Sequence, residues 1–133
     1  MTAGHGSPTV LVVEDDRDLR ESLTEILQDN DYEPLAAENG KDALEVLHEA
    51  ARKPCVILLD IMMPVMDGWQ FRILQRKDPQ LADIPVVVLT AHASINEAAR
   101  KIRAVAGLRK PVTVSALLET VKKFCDAPPS PSA

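Results

Sequence analysis

The chain has 133 residues, 46% of them hydrophobic, and fifteen Lys and Arg set against twenty Asp and Glu leave a net charge of -5. That suffices for one domain burying about two-thirds of its unfolded surface, and a second effector domain is not expected. With aromatics at 3% and no Lys/Arg-rich run, the composition does not suit direct nucleic-acid binding; the absence of a signal-peptide core or an apolar run of transmembrane length leads to the expectation of a cytoplasmic protein.

Residues 1–8 read as a disordered N-terminal tail. Thr9 to Val13 is a continuous apolar run of the kind that forms a buried strand, and Leu19, Leu23, Ile26 and Leu27 then recur at helical spacing. Tyr32 to Ala37 reads as a second strand, at a sheet edge because Pro34 removes a ladder donor. Ala43, Val46, Leu47 and Ala50 mark the next helix. The run Cys55-Val56-Ile57-Leu58-Leu59 is a third strand closed by Asp60. Asp67-Gly68 reads as a turn and cap before a third helix whose stripe is irregular, with Arg72 among Trp69, Phe71, Ile73 and Leu74. A fourth strand, Ile84 to Leu89, is entered through Pro85 and ends at Thr90-Ala91. Ser94 with Glu97 three residues later is a capping-box signature, opening a helix with Ala98, Ile102 and Val105 on one face. Leu108 and Arg109 remain for a short fifth strand before Lys110-Pro111. Leu117, Leu118, Val121, Phe124 and Cys125 stripe the last helix, and residues 126–133, rich in Pro and Ser, read as a disordered tail.

Five strands alternating with five helices over residues 9–125 predict an α/β domain: a five-stranded parallel sheet, doubly wound, in the flavodoxin-like order 2-1-3-4-5. Cys55 and Cys125 lie in apolar contexts and are expected to be buried small hydrophobic side chains, not a disulfide. Met62, Met63 and Met66 have no Cys or His beside them and are expected to pack, not to bind a soft metal. His5 and His48 are expected at the surface.

Glu14, Asp15, Asp60, Thr90 and Lys110 all fall at the carboxyl ends of strands, so right-handed crossovers bring them to one rim, where open α/β sheets bind ligands. Alone, each has a plainer reading: Asp60 as a cap, Thr90 as a β-branched strand residue, Lys110 as a solvated charge. Asp16 is assigned to capping the first helix. Together they describe chemistry. A carboxylate can attack a phosphoryl group, but clustered acids repel one another and the incoming anion until a cation is present. Mg²⁺ takes its oxygens from one or two carboxylates, phosphate and retained waters, and an ammonium from another side helps spread the transferring charge.

Through Val12-Val13-Glu14-Asp15-Asp16, Leu58-Leu59-Asp60-Ile61-Met62-Met63-Pro64-Val65-Met66-Asp67-Gly68, Val88-Leu89-Thr90-Ala91 and Lys110-Pro111, the chain resembles the receiver domain of bacterial two-component response regulators, of the stand-alone type. The resemblance implies Asp60 as phosphoacceptor, Asp15 as a direct Mg²⁺ ligand, Glu14 as a neighbour reaching the metal through water, and the backbone carbonyl of Met62 as a further ligand. It implies that Thr90, with Ala91 beside it, reads the phosphoryl group, that Lys110 pairs with it, and that a cis peptide bond precedes Pro111. It also implies a histidine kinase or histidine phosphotransfer protein as donor and a downstream target protein as reader, with no turnover enzymology; the composition argues against a nucleic-acid or membrane partner. One position departs: three residues before the lysine, where the family carries Tyr or Phe, stands Gly107. A pseudo-receiver that binds without switching, or a receiver segment of a larger regulator or hybrid kinase, are the alternatives. A phosphatase with an aspartate nucleophile would carry Asp-x-Asp where Met62 stands, and a flavin protein would need a phosphate-cradling loop. His92 is a candidate for controlling water access at the pocket mouth.

Overall fold

A computed structural model describes residues 7–91 and 95–125. The elements alternate as β1 (Thr9–Val13), α1 (Arg17–Asp29), β2 (Glu33–Ala37), α2 (Gly40–Glu49), β3 (Val56–Asp60), α3 (Gly68–Lys77), β4 (Val86–Thr90), α4 (Ile95–Ile102), β5 (Ala106–Arg109) and α5 (Val114–Cys125). The strands form one parallel sheet in the order β2-β1-β3-β4-β5, the expected doubly wound α/β topology. β2, which carries Pro34, pairs only with β1 and so lies at the edge, where a missing donor faces no partner.

Strand residues alternate between two cores, as a period of two dictates. Leu11, Val13, Ile57, Leu59, Val86 and Val88 face α2, α3 and α4, packing with Leu47, Phe71 and Ile102. Val10, Val12, Val56, Leu58, Val87 and Leu89 face α1 and α5, packing with Leu23, Leu27, Leu117 and Val121. β1, β3 and β4 are buried along their whole length, which is why they read as unbroken apolar runs. Among the described residues no helix is long and apolar enough to cross a membrane.

Asp16 caps α1, accepting from the amides of Asp18 and Leu19, and Asp67 with Gln70 forms a capping box at α3. The Ser94-Glu97 box falls partly on residue 94, outside the described residues, as do His5, His92 and the tail from residue 126. Ser7 and Pro8, assigned to the N-terminal tail, are tied down: their carbonyls accept from Arg52 and from the Glu33 amide.

Four expectations are corrected, and that for His48 is extended. The irregular stripe of α3 has a simple cause: its inner face is Gly68, Phe71 and the polar Gln75, whose amide donates to the carbonyls of Leu81 and Ile84, while Trp69, Ile73 and Leu74 point outward. α4 ends at Ile102; Val105 lies past it and is exposed, while Ala99 and Ile102 of this helix are buried. Met63 packs in the core, but Met62 is 78% exposed, because it sits on the outer side of the loop after β3. His48 lies at the surface, yet its Nε2 pairs with Asp78 at 2.9 Å, and this contact and the Gln80 amide hold the Asp78 carboxyl below its usual range. Finally, Cys55 and Cys125 form a disulfide with Cα atoms 5.3 Å apart. α5 runs back across the sheet, so its last residue ends beside the residue that precedes β3, and two cysteines 70 positions apart meet within bridging range.

Candidate functional site

The rim at the carboxyl ends of β1, β3, β4 and β5 gathers the expected residues. Glu14 follows β1 directly; its amide donates to the Ala37 carbonyl, so the end of β1 is tied to the end of β2. The Glu14 side chain is fully buried, while Asp15 is exposed. Asp60 is the last residue of β3 and is 4% exposed; Thr90 is the last of β4 and is also buried. The carbonyl of Thr90 accepts from the Lys110 amide at 2.9 Å, which fastens the lysine to the neighbouring strand end. The peptide bond between Lys110 and Pro111 is cis, as the resemblance implied.

Side-chain atoms converge tightly. Lys110 Nζ lies 2.9 Å from Glu14 Oε1 and 3.3 Å from Asp60 Oδ1. Glu14, Asp15 and Asp60 each place a carboxylate oxygen within 4.8 Å of the others. Burial, followed by the charge of Glu14, pushes the Asp60 carboxyl up to about 7, with Lys110 pulling the other way. For Lys110, burial lowers the pKa, but the contacts with Glu14 and Asp60 outweigh it, so the ammonium is held above its ordinary value. Three carboxylates thus share one cation, leaving an excess of negative charge on hard oxygen donors. That donor set fits a divalent cation such as Mg²⁺.

The loop after β3 is seated by two glycines. A β-carbon on Gly68 would come within 2.8 Å of the Asp60 carbonyl oxygen and the Ile61 Cα, and the Gly68 amide donates to the Ile61 carbonyl. A β-carbon on Gly40 would meet the Met66 side chain and backbone, and the Gly40 amide donates to the Met66 carbonyl. Between them Val65 holds φ 69, a left-handed conformation uncommon for a β-branched residue. The Met62 amide points at Asp60 Oδ1 from 3.3 Å, and Ala91, just past Thr90, is exposed.

Two contributors were not assigned their part in the site from the sequence. Arg20 on α1 reaches back with Nη1 to the carbonyls of Glu14 and Asp15, holding the acidic turn from below; nothing in its spacing marked it. Gly68 read as part of a turn, whereas its role is to let the start of α3 approach the Asp60 backbone.

A buried carboxylate between an acid pair and a lysine, with a threonine ending the adjacent strand of a doubly wound sheet, defines a receiver-type signalling domain. The chain belongs to the response regulator receiver domain family, which matches residues 10–122. Among relatives, it is 36% identical over 115 residues to Response regulator MprA of Mycolicibacterium vanbaalenii, covering 85% of this chain and 48% of that protein. The chain therefore spans about half the length of the curated relatives it matches. Among solved structures it is similar to the chemotaxis response regulator CheY4 of Vibrio cholerae, with TM-score 0.80, 31% identity and coverage of 89% of this chain and 98% of that one. It is also similar to a putative response regulator from Chloroflexus aurantiacus, with TM-score 0.81, 27% identity and coverage of 91% and 99%.

Proposed function

We propose that this chain is a phosphoacceptor switch in which Asp60 takes a phosphoryl group from a histidine kinase or a histidine phosphotransfer protein and a downstream protein reads the result. The observation that carries the proposal is the position of Asp60: a buried carboxylate within 3.3 Å of Lys110 and beside Glu14 and Asp15. An Asp60 oxygen attacks phosphorus as the bond from phosphorus to the donor imidazole nitrogen breaks, giving an acyl phosphate and a free histidine. Lys110, held between Glu14 and Asp60, supplies positive charge where the transferring group gathers negative charge. Glu14, Asp15, Asp60 and the Met62 carbonyl would hold Mg²⁺, which when bound neutralises phosphoryl oxygens and relieves the repulsion among the carboxylates. Thr90 would offer its hydroxyl to a phosphoryl oxygen, a charge-assisted hydrogen bond that exists only after transfer.

Incubation with Mg²⁺ and acetyl phosphate, followed by intact mass, tests this. One added phosphoryl group is expected, and none on Asp60→Asn; equal labelling of that variant would sink the assignment. A second reading, a module that binds without switching, is favoured by Gly107. It stands opposite Val88 in the β4–β5 register and has no side chain to turn when Thr90 moves. Failure of the wild type to label would favour this reading.

A further inference from the structure

The outer side of α3 and the end of α4 enclose a groove of about 370 Å³ that takes no part in the chemistry at Asp60. Its charge is at odds with the rest of the molecule. Arg72, Arg76, Lys77, Lys101 and Arg103 line it, five of the chain's fifteen Lys and Arg, and among the described residues no acidic one does, although the whole chain carries -5. Arg72 is committed to structure, donating to the carbonyls of Ile102 and Arg103 and to Gln75 Oε1, and so joins α3 to the end of α4 as the floor. Burial above all, then the charges of Arg76 and Arg103, hold its guanidinium below the ordinary value. Lys101 has only a distant partner, Glu97 at 3.8 Å, and Arg76, Lys77 and the Arg103 guanidinium make no ion pair among the described residues.

The same groove offers apolar surface. Trp69 and Ile73, one helical turn apart on α3, line it and are 38% and 56% exposed. Residues that dominate binding are enriched in Trp and Arg and cluster in well-packed, desolvated pockets, and helices lay apolar anchors into grooves at a spacing of three to four residues.

We propose that the α3–α4 groove docks an acidic amphipathic segment of a partner protein, with an apolar side chain against Trp69 and Ile73 and carboxylates facing Arg76, Lys77 and Arg103. A nucleic acid fits less well. A polyanion longer than the groove would meet the acidic remainder of the surface, and with a single tryptophan in the chain no second indole continues a stacking track. The groove adjoins the candidate site, because Trp69 and Lys101 also line a second pocket, of about 200 Å³, that contains Thr90. The docking itself requires no modification of Asp60.

The test uses the unmodified protein and a synthetic helix of about three turns, with Leu on one face and Glu on the other. Trp69, the only tryptophan, reports by fluorescence. Saturable binding that shifts Trp69 emission is expected, weakened about tenfold or more in a variant combining Arg76→Glu with Arg103→Glu; circular dichroism checks that this variant folds. The same peptide with Glu replaced by Lys should not bind, and with Leu replaced by Ala should bind far more weakly. The proposal is overturned by no saturable binding of the acidic peptide, by equal binding of the lysine peptide, or by an unaffected double variant. Tighter binding of a single-stranded DNA oligomer of equal charge would replace it with a nucleic-acid site.

Discussion

A β-carbon added to Gly68 would lie 2.8 Å from the carbonyl oxygen of Asp60. The obstructing atoms are backbone, so Gly68→Ala should cost close to the upper end of overpacking, about 3 kcal/mol. Alanine's advantage over glycine in a helix recovers only about 1 kcal/mol. A net loss of about 2 kcal/mol is expected, together with slower labelling of Asp60, because the strand end that aims the carboxylate must shift. Urea unfolding and timed intact-mass measurements check both; loss of stability with an unchanged labelling rate would reduce Gly68 to a packing residue.

The Asp60 carboxyl is raised from 3.8 to about 7. It binds its proton more tightly folded than unfolded, so its contribution to the stability of the metal-free protein is fully present below about 3.8 and is lost as the pH rises through about 7. A divalent cation must displace that proton, so stabilisation by Mg²⁺ should grow with pH over the same window. At ten times the dissociation constant it should reach about 1.4 kcal/mol. Melting curves from about pH 5 to about pH 8, with and without Mg²⁺, should show both slopes, and Asp60→Asn should flatten them. Unaltered slopes in that variant would assign the titration to another group.

Lys110→Met should leave Glu14 and Asp60 facing each other without a counter-charge. Breaking a fully buried pair costs about 3–5 kcal/mol. The Lys110 side chain is 23% exposed, so water screens part of this and about 1–3 kcal/mol is expected. The loss should be greatest above pH 7 and partly recovered by Mg²⁺. Equal metal-free stability of variant and wild type at about pH 8 would mean that Lys110 is not the counter-ion.

The bridge between Cys55 and Cys125 closes a long segment of chain, with a sequence separation of 70. Chain-entropy reasoning puts the constraint on the unfolded state at up to about 4 kcal/mol. Replacing both cysteines by Ser, or adding reductant, should lower the denaturation midpoint accordingly. Unreduced protein should take up no alkylating reagent when unfolded; uptake on both cysteines would show free thiols.

Thr90 and Trp69 line one pocket. A phosphoryl mimic with Mg²⁺ should therefore change Trp69 emission, and Thr90→Ala should weaken that change while Asp60 still accepts a phosphoryl group. Loss of labelling in Thr90→Ala would place the hydroxyl in the transfer step itself.

Much of the fold was legible because its signals are local. The apolar runs of β1, β3 and β4 report burial on both faces, Pro34 reports an edge, and Asp16 and Asp67 report helix starts through bonds to amides two or three residues away. The candidate site was legible for a related reason: in a parallel sheet every strand ends on the same rim, so acids and a lysine placed after strands are brought together by topology alone.

Other features depend on which surfaces meet, and no local pattern carries that. Gln75 is polar yet fully buried, because the carbonyls of Leu81 and Ile84 face it across a turn and satisfy its amide. Trp69 and Ile73 are apolar yet exposed, because Phe71 and Gln75 take the inner face of α3. The two cysteines pair because α5 returns across the sheet to the start of β3. The sequence alone determined the order of elements and the chemistry of the rim, since backbone periodicity and strand direction suffice for both. Packing decided the disulfide, the tight seat of Gly68 under Asp60 and the cationic groove, because each joins residues whose proximity exists only once the helices have settled on the sheet.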